Sequence, residues 1–157
     1  MKLVEAKDGL FVFHLAKQER ALLIHVLKMF PVSGGPVAPL SKSGDEQKLA
    51  EHERSLIEAL AEQRAEHKRL VDAFLGEQGR FAEDAKGGFR LRLPTVQVDW
   101  LLRVLNEVRV GLWLKLGRPE DLLPLAKGGQ LEAVAAMEIC ALFQSRFLEA
   151  LGGGESN

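Results

Sequence analysis

The side chains best suited to gripping a ligand fall in one stretch, Val98-Asp99-Trp100-Leu101-Leu102-Arg103-Val104-Leu105-Asn106-Glu107-Val108-Arg109-Val110-Gly111-Leu112-Trp113. Asn106 and Arg109 stand three residues apart, and a carboxamide beside a planar guanidinium can hold a carboxylate, a phosphate or a partner's backbone. Arg103 and Trp113 flank them at helical spacing, so the candidate binding set is Arg103, Asn106, Arg109 and Trp113. A purely structural role competes with this one. Arg109 sits at the edge of an apolar face, where it can lie on the Trp113 indole or pair with Glu138 of the last helix. A second set is basic: in Phe89-Arg90-Leu91-Arg92-Leu93 the strict alternation puts Arg90 and Arg92 on one strand face, with Lys2 and Lys7 expected nearby. Such a face could contact nucleic-acid phosphates, with steep salt dependence.

Other chemistries find little support. The histidines His14, His25, His52 and His67 are never three or four residues apart, so no two share a helix face as a metal site would need. The segment Gly35 to Ser43 ends Ser41-Lys42-Ser43 like a nucleotide loop. It lacks the glycine before the lysine, and its two prolines remove backbone donors. Cys140 lies in the most apolar part of the chain with no histidine near it in sequence, which reads as a buried, inert thiol. There is no Gly-x-Ser-x-Gly elbow and no tyrosine. No catalytic residue, metal or cofactor is assigned, and the balance leans away from an enzyme.

These residues must be positioned by elements that the pattern also predicts. Leu3 to Ala6 and Leu10 to His14 flank Asp8-Gly9, a pair that tolerates the positive φ of a tight hairpin turn. Gln18 to Phe30 is an amphipathic helix with Leu22, Leu23, Val26, Leu27 and Phe30 on its apolar side, stopped by Pro31. Residues 31–44 have the composition of a mobile loop, and Ser43 with Glu46 has the form of a capping box. A charged helix follows from Glu46 to Leu75, with Leu49, Leu56, Leu60, Leu70 and Phe74 along one side. Glu53, Gln63 and His67 in the same seam argue against a coiled coil and for packing on the chain's own body. Strand Phe89 to Leu93 is expected to pair with the hairpin. Thr95 is placed to cap the helix Val96 to Leu116, which stops at Gly117. Pro119-Glu120-Asp121 opens a short helical turn before Pro124 resets the direction. Leu131 to Leu151 reads as a central core helix ended by Gly152-Gly153-Gly154, with a flexible tail over 152–157.

The expected fold is therefore α+β and mostly α, with about four helices and a small antiparallel sheet in a single domain spanning 1–157. A length of 157 residues, 46% hydrophobic and 27% charged, suits a soluble domain and excludes a disordered chain. The net charge of −1 gives no global pull toward nucleic acid or anionic lipid. One cysteine, no signal-peptide core and no long apolar run point to a cytoplasmic protein away from the membrane.

The hairpin, the first helix, strand Phe89 to Leu93 and above all Trp100 to Leu112 with Leu116-Gly117 resemble the bacterial domain-of-unknown-function family numbered 2017. The core of the likeness is Leu-Asn-x-x-Arg-x-x-Leu followed by Leu-Gly, carried by Leu105, Asn106, Arg109, Leu112, Leu116 and Gly117. It covers roughly half the chain, and the charged helix within 46–86 departs from it. The resemblance implies a small, mostly helical cytoplasmic protein without an established activity. Some members are labelled regulators and encoded near a protease adaptor. The leading expectation is a non-enzymatic protein-binding or scaffold module that uses the apolar end around Val110, Trp113 and Leu114. The alternatives are a nucleic-acid-associated regulator using Arg90 and Arg92, and a small-ligand binder or enzyme centred on Asn106 and Arg109.

Overall fold

The computed structural model describes residues 1–32 and 46–153. Strands β1 (Lys2–Lys7) and β2 (Leu10–Leu15) form the expected hairpin. Asp8 and Gly9 both adopt positive φ, 54° and 74°, as the turn demands. Strand β4 (Phe89–Pro94) lies antiparallel to β2, with Phe13 opposite Leu91 and Phe11 opposite Leu93. A three-residue strand, β3 (Phe81–Glu83), completes a sheet of order β1-β2-β4-β3. The sequence pattern misses β3 because three residues carry no readable alternation. Its turn is set by Asp84, whose backbone and carboxylate bond Gly87, Gly88 and Lys86.

Five helices are seen among the described residues: α1 (Lys17–Lys28), α2 (Glu46–Gly76), α3 (Thr95–Lys115), α4 (Leu123–Lys127) and α5 (Leu131–Gly153). The α+β, mostly α class is thus realised. Helix α1 starts where the Glu19 carboxylate accepts the Ala16 N–H at 2.9 Å. It buries Leu23, Val26 and Leu27 and leaves Leu22 exposed, because the apolar face is narrower than its spacing suggests.

Several expected details are corrected. Thr95 does not cap α3, whose cap position is Pro94. The Thr95 hydroxyl instead donates to the Gly9 carbonyl at 3.1 Å, and its N–H donates to the same oxygen at 3.0 Å, tying the hairpin tip to the helix start. The short helix begins at Leu123, not Pro119, and Pro124 takes the proline position at its first turn. Asp121 accepts the Leu123 N–H at 3.0 Å there. Helix α5 continues through Gly153, so only 154–157 of the expected tail lie outside the described residues, together with most of the loop 31–44, the Gly35 to Ser43 segment and the Ser43 cap. Leu142 and Leu148 are exposed, so α5 buries one broad face and is not apolar all round.

The inward side chains of the sheet, Phe11, Phe13, Leu15, Leu91 and Leu93, pack on the apolar faces of α1, α3 and α5 in one hydrophobic cluster. Phe13 meets Phe147 edge to face at 5.3 Å, the central joint between sheet and helices. Helix α2 stands apart. Its buried side chains are His67, Val71 and Phe74, all in its last third, while Leu56, Ile57 and Leu60 are exposed. The expectation of a helix packed along its length on its own body holds for that last third alone. Among the described residues no helix is long and apolar enough to cross a membrane.

Candidate functional site

Helices α2 and α3 run antiparallel. Phe74 rests edge to face on Trp100 at 5.6 Å, and two turns away His67 Nδ1 lies 4.0 Å from Glu107 Oε1. Beyond that point the two helices enclose a cleft of about 170 Å³. The segment that follows α1 contributes Phe30, Pro31 and Val32. Arg64 comes from α2, and Asn106, Glu107, Val110, Gly111 and Leu114 come from α3. Gly111 allows this closeness, since a Cβ there would lie 2.8 Å from that of Val32.

The apolar walls extend past the cleft. Leu60 and Ile57 stand four and seven residues before Arg64, which places them on the same face of α2. Both are exposed, at 44% and 43%, as are Val110 and Leu114 at 40% and 39%. Exposed apolar side chains thus occupy the Arg64 face of α2 and the Val110–Leu114 end of α3, and Arg64, Asn106 and Glu107 add polar groups to the cleft.

The candidate residues from the sequence divide. Asn106 lines the cleft and, at 3.4 Å, its carbonyl oxygen accepts from Gln144 of α5. Arg109 is partly buried and turns toward α5, near enough to Cys140 for its charge to act on the thiol. Asn106 lines the cleft and Arg109 does not, so the cleft holds only one of the two. Arg109 forms no ion pair with Glu138 and has no acidic partner among the described residues. Arg103 is exposed and pairs with neither Asp99 nor Glu107, each one turn away; Glu107 faces His67 instead. The Trp113 indole N–H donates to the Pro119 carbonyl at 3.0 Å, so its polar edge closes the turn after α3 while its ring stays 37% exposed.

On the sheet, Arg90 is held by Asp84, with Nε 3.1 Å from Oδ2, and Asp84 also lies 3.9 Å from His14 Nε2. The Lys86 N–H and then Arg90 hold the Asp84 carboxyl below the usual carboxylate range. Arg92 is exposed on the same face. Lys2 and Lys7 lie on β1, with β2 between them and β4, so the basic side chains are spread over the sheet and partly neutralised. Cys140 is fully buried, and burial pushes its thiol up to about 11, against the opposing effect of Arg109. Among the described residues no three His, Cys, Asp or Glu side chains converge as a metal site.

Sequence reasoning missed the cleft, because it needs α2 beside α3. The available signal was the run of leucines on α2 that its own domain could not use. Comparison with family models, curated proteins and solved structures returns no match.

Proposed function

We propose that the protein is a non-enzymatic protein-binding module of the cytoplasm, and that the cleft between α2 and α3, together with the exposed apolar side chains of both helices, forms a trough that receives an amphipathic helix of a partner. One observation carries this reading: Val110 and Leu114 line the cleft, Ile57 and Leu60 stand on the α2 face of Arg64, which lines it too, and all four apolar side chains are left in water. Contiguous exposed apolar surface of this kind marks interaction sites, and a groove between two helices suits the apolar stripe of a third. Arg64 and Glu107 at one end offer both signs of charge to fix the direction of the incoming helix. The likeness to a bacterial family with members labelled regulators agrees with a role exerted through a partner.

The test is affinity capture from native lysate with wild type, Leu60→Asp, Leu114→Asp and, as a control elsewhere on the surface, Leu148→Asp. All three positions are exposed, so the variants should fold, which circular dichroism verifies. A protein captured by wild type and Leu148→Asp and lost with both trough variants is the expected result. Identical recovery by all four would remove the trough from consideration.

A further inference from the structure

A separate cavity of about 300 Å³ opens between α1 and the turn that joins α2 to β3. Its wall on α1 is built at steps of four residues by Arg20, Ile24 and Lys28, one helical face. The opposite wall brings Glu77, Arg80 and Phe81. Three cations and one carboxylate thus line one small pocket.

The cations are not equivalent. Arg80 is committed to the fold: it bonds Glu77, donates to Gln97 Oε1 at 3.0 Å and to the Arg92 carbonyl at 3.3 Å, and lies 4.5 Å from the Phe74 ring centre. Glu77 is thereby engaged too. Arg20 is different. Its guanidinium lies over two rings, 4.6 Å from the centre of Phe89 and 5.3 Å from that of Phe81. The Nε of each arginine is buried without a hydrogen-bond partner, but Arg80 has the Glu77 carboxylate whereas no carboxylate pairs with Arg20 among the described residues. Lys28 is exposed and likewise without an acidic partner there. A partly desolvated guanidinium without a counter-charge is costly unless something supplies one.

We propose that this pocket binds the phosphate group of a small organic phosphate, with Arg20 and Lys28 as its two grips and Phe81 against the organic part. Two positive charges left over after Arg80 and Glu77 cancel match a phosphate monoester dianion better than a single carboxylate. The aromatic rings hold the Arg20 fork in place before the ligand arrives, which reduces the ordering cost of binding. The two anchor residues start about 12 Å apart along the helix, a span their long side chains can close around one anion. The trough between α2 and α3 plays no part in this site.

The experiment is a heteronuclear NMR titration of the whole protein with phenyl phosphate, with inorganic phosphate and benzoate as parallel probes. Saturable shifts should gather in residues 20–28 and 76–81. Benzoate should bind at least ~10-fold more weakly than phenyl phosphate, Arg20→Gln should weaken phenyl phosphate by ~10-fold or more, and Lys28→Gln by ~3- to 5-fold. Equal shifts with inorganic phosphate would assign the grip to the anion alone and retain the site; tighter phenyl phosphate would add the ring contact. Because Lys28 is exposed, its variant keeps the fold even if Arg20→Gln does not. Shifts that do not saturate, that scatter over other basic side chains, or that are unchanged in Lys28→Gln would overturn the proposal.

Discussion

His67 Nδ1 lies 4.0 Å from Glu107 Oε1 with its side chain only 10% exposed, two turns of α2 from the Phe74–Trp100 contact. That distance is too long for a hydrogen bond, and Nδ1 is buried without one. The ring's other neighbour is Phe30, at 6.2 Å between centres.

A buried polar atom with no partner carries its desolvation cost uncompensated, about 1–3 kcal/mol. His67→Leu should therefore leave the urea midpoint unchanged or raise it, by the equivalent of up to ~1 kcal/mol. Chemical denaturation checks this, and a fall of more than ~1 kcal/mol would show that the imidazole is a net contributor to the α2–α3 joint.

Cys140 makes a prediction in the alkaline range. Its folded thiol stands at about 11, raised from 9.0 by burial, so the folded state favours the protonated form. A raised value contributes stability in full below pH 9, and that contribution drains away as pH climbs through 11. Wild type should lose on the order of 2 kcal/mol more than Cys140→Ala between these limits. Thermal melts of both proteins across the alkaline range measure the difference. The same burial means that a thiol reagent should label the protein only as fast as it opens.

Two neighbouring glycines should respond differently to alanine. Both Gly87 and Gly88 have left-handed φ, 91° and 75°, which costs an L side chain about 1–2 kcal/mol. At Gly87 nothing lies within 4 Å, so Gly87→Ala should cost that and no more. At Gly88 the added carbon would stand 2.5 Å from the Leu15 carbonyl oxygen, where β2 passes beneath the turn. Gly88→Ala should therefore destabilise by ~3 kcal/mol or more. Equal melting temperatures for the two variants would contradict this close approach.

The local rules explain why much of the fold is legible from the residues. Asp8-Gly9 marks the hairpin, the alternation of Phe89 to Leu93 marks β4, and Pro31 and Gly117 bound α1 and α3 through backbone restrictions that act within a few residues. What escapes depends on neighbours distant in the chain. Thr95 has the chemistry of a cap, but its hydroxyl is claimed by Gly9, 86 residues earlier. Glu107 is well spaced for Arg103 and is turned instead to His67. Arg109 and Asn106 look like partners in sequence, but Asn106 is engaged by Gln144 and Arg109 lies near Cys140, whereas Arg20, Lys28 and Arg80 gain a shared pocket only when α2 returns the chain to α1. The sequence singles out Val110 and Leu114 at the end of α3 but cannot show that Arg64 of α2 lines the same cleft, because that needs two helices brought together.

The pairing of β2 with β4 has a consequence for how the protein is made. Leu15 meets Phe89 and Leu10 meets Pro94, so the ladder joins positions on either side of two whole helices. A ribosome adding roughly 5–20 residues per second takes several seconds to cover that interval. Throughout it the nascent hairpin presents the bare edge of β2, with Phe11, Phe13 and Leu15 awaiting cover, a template on which another unfinished chain could pair. Until β4 arrives that edge has no cover, so ribosome-bound chains that end before Phe89 should recruit more chaperone than chains that end well beyond Pro94.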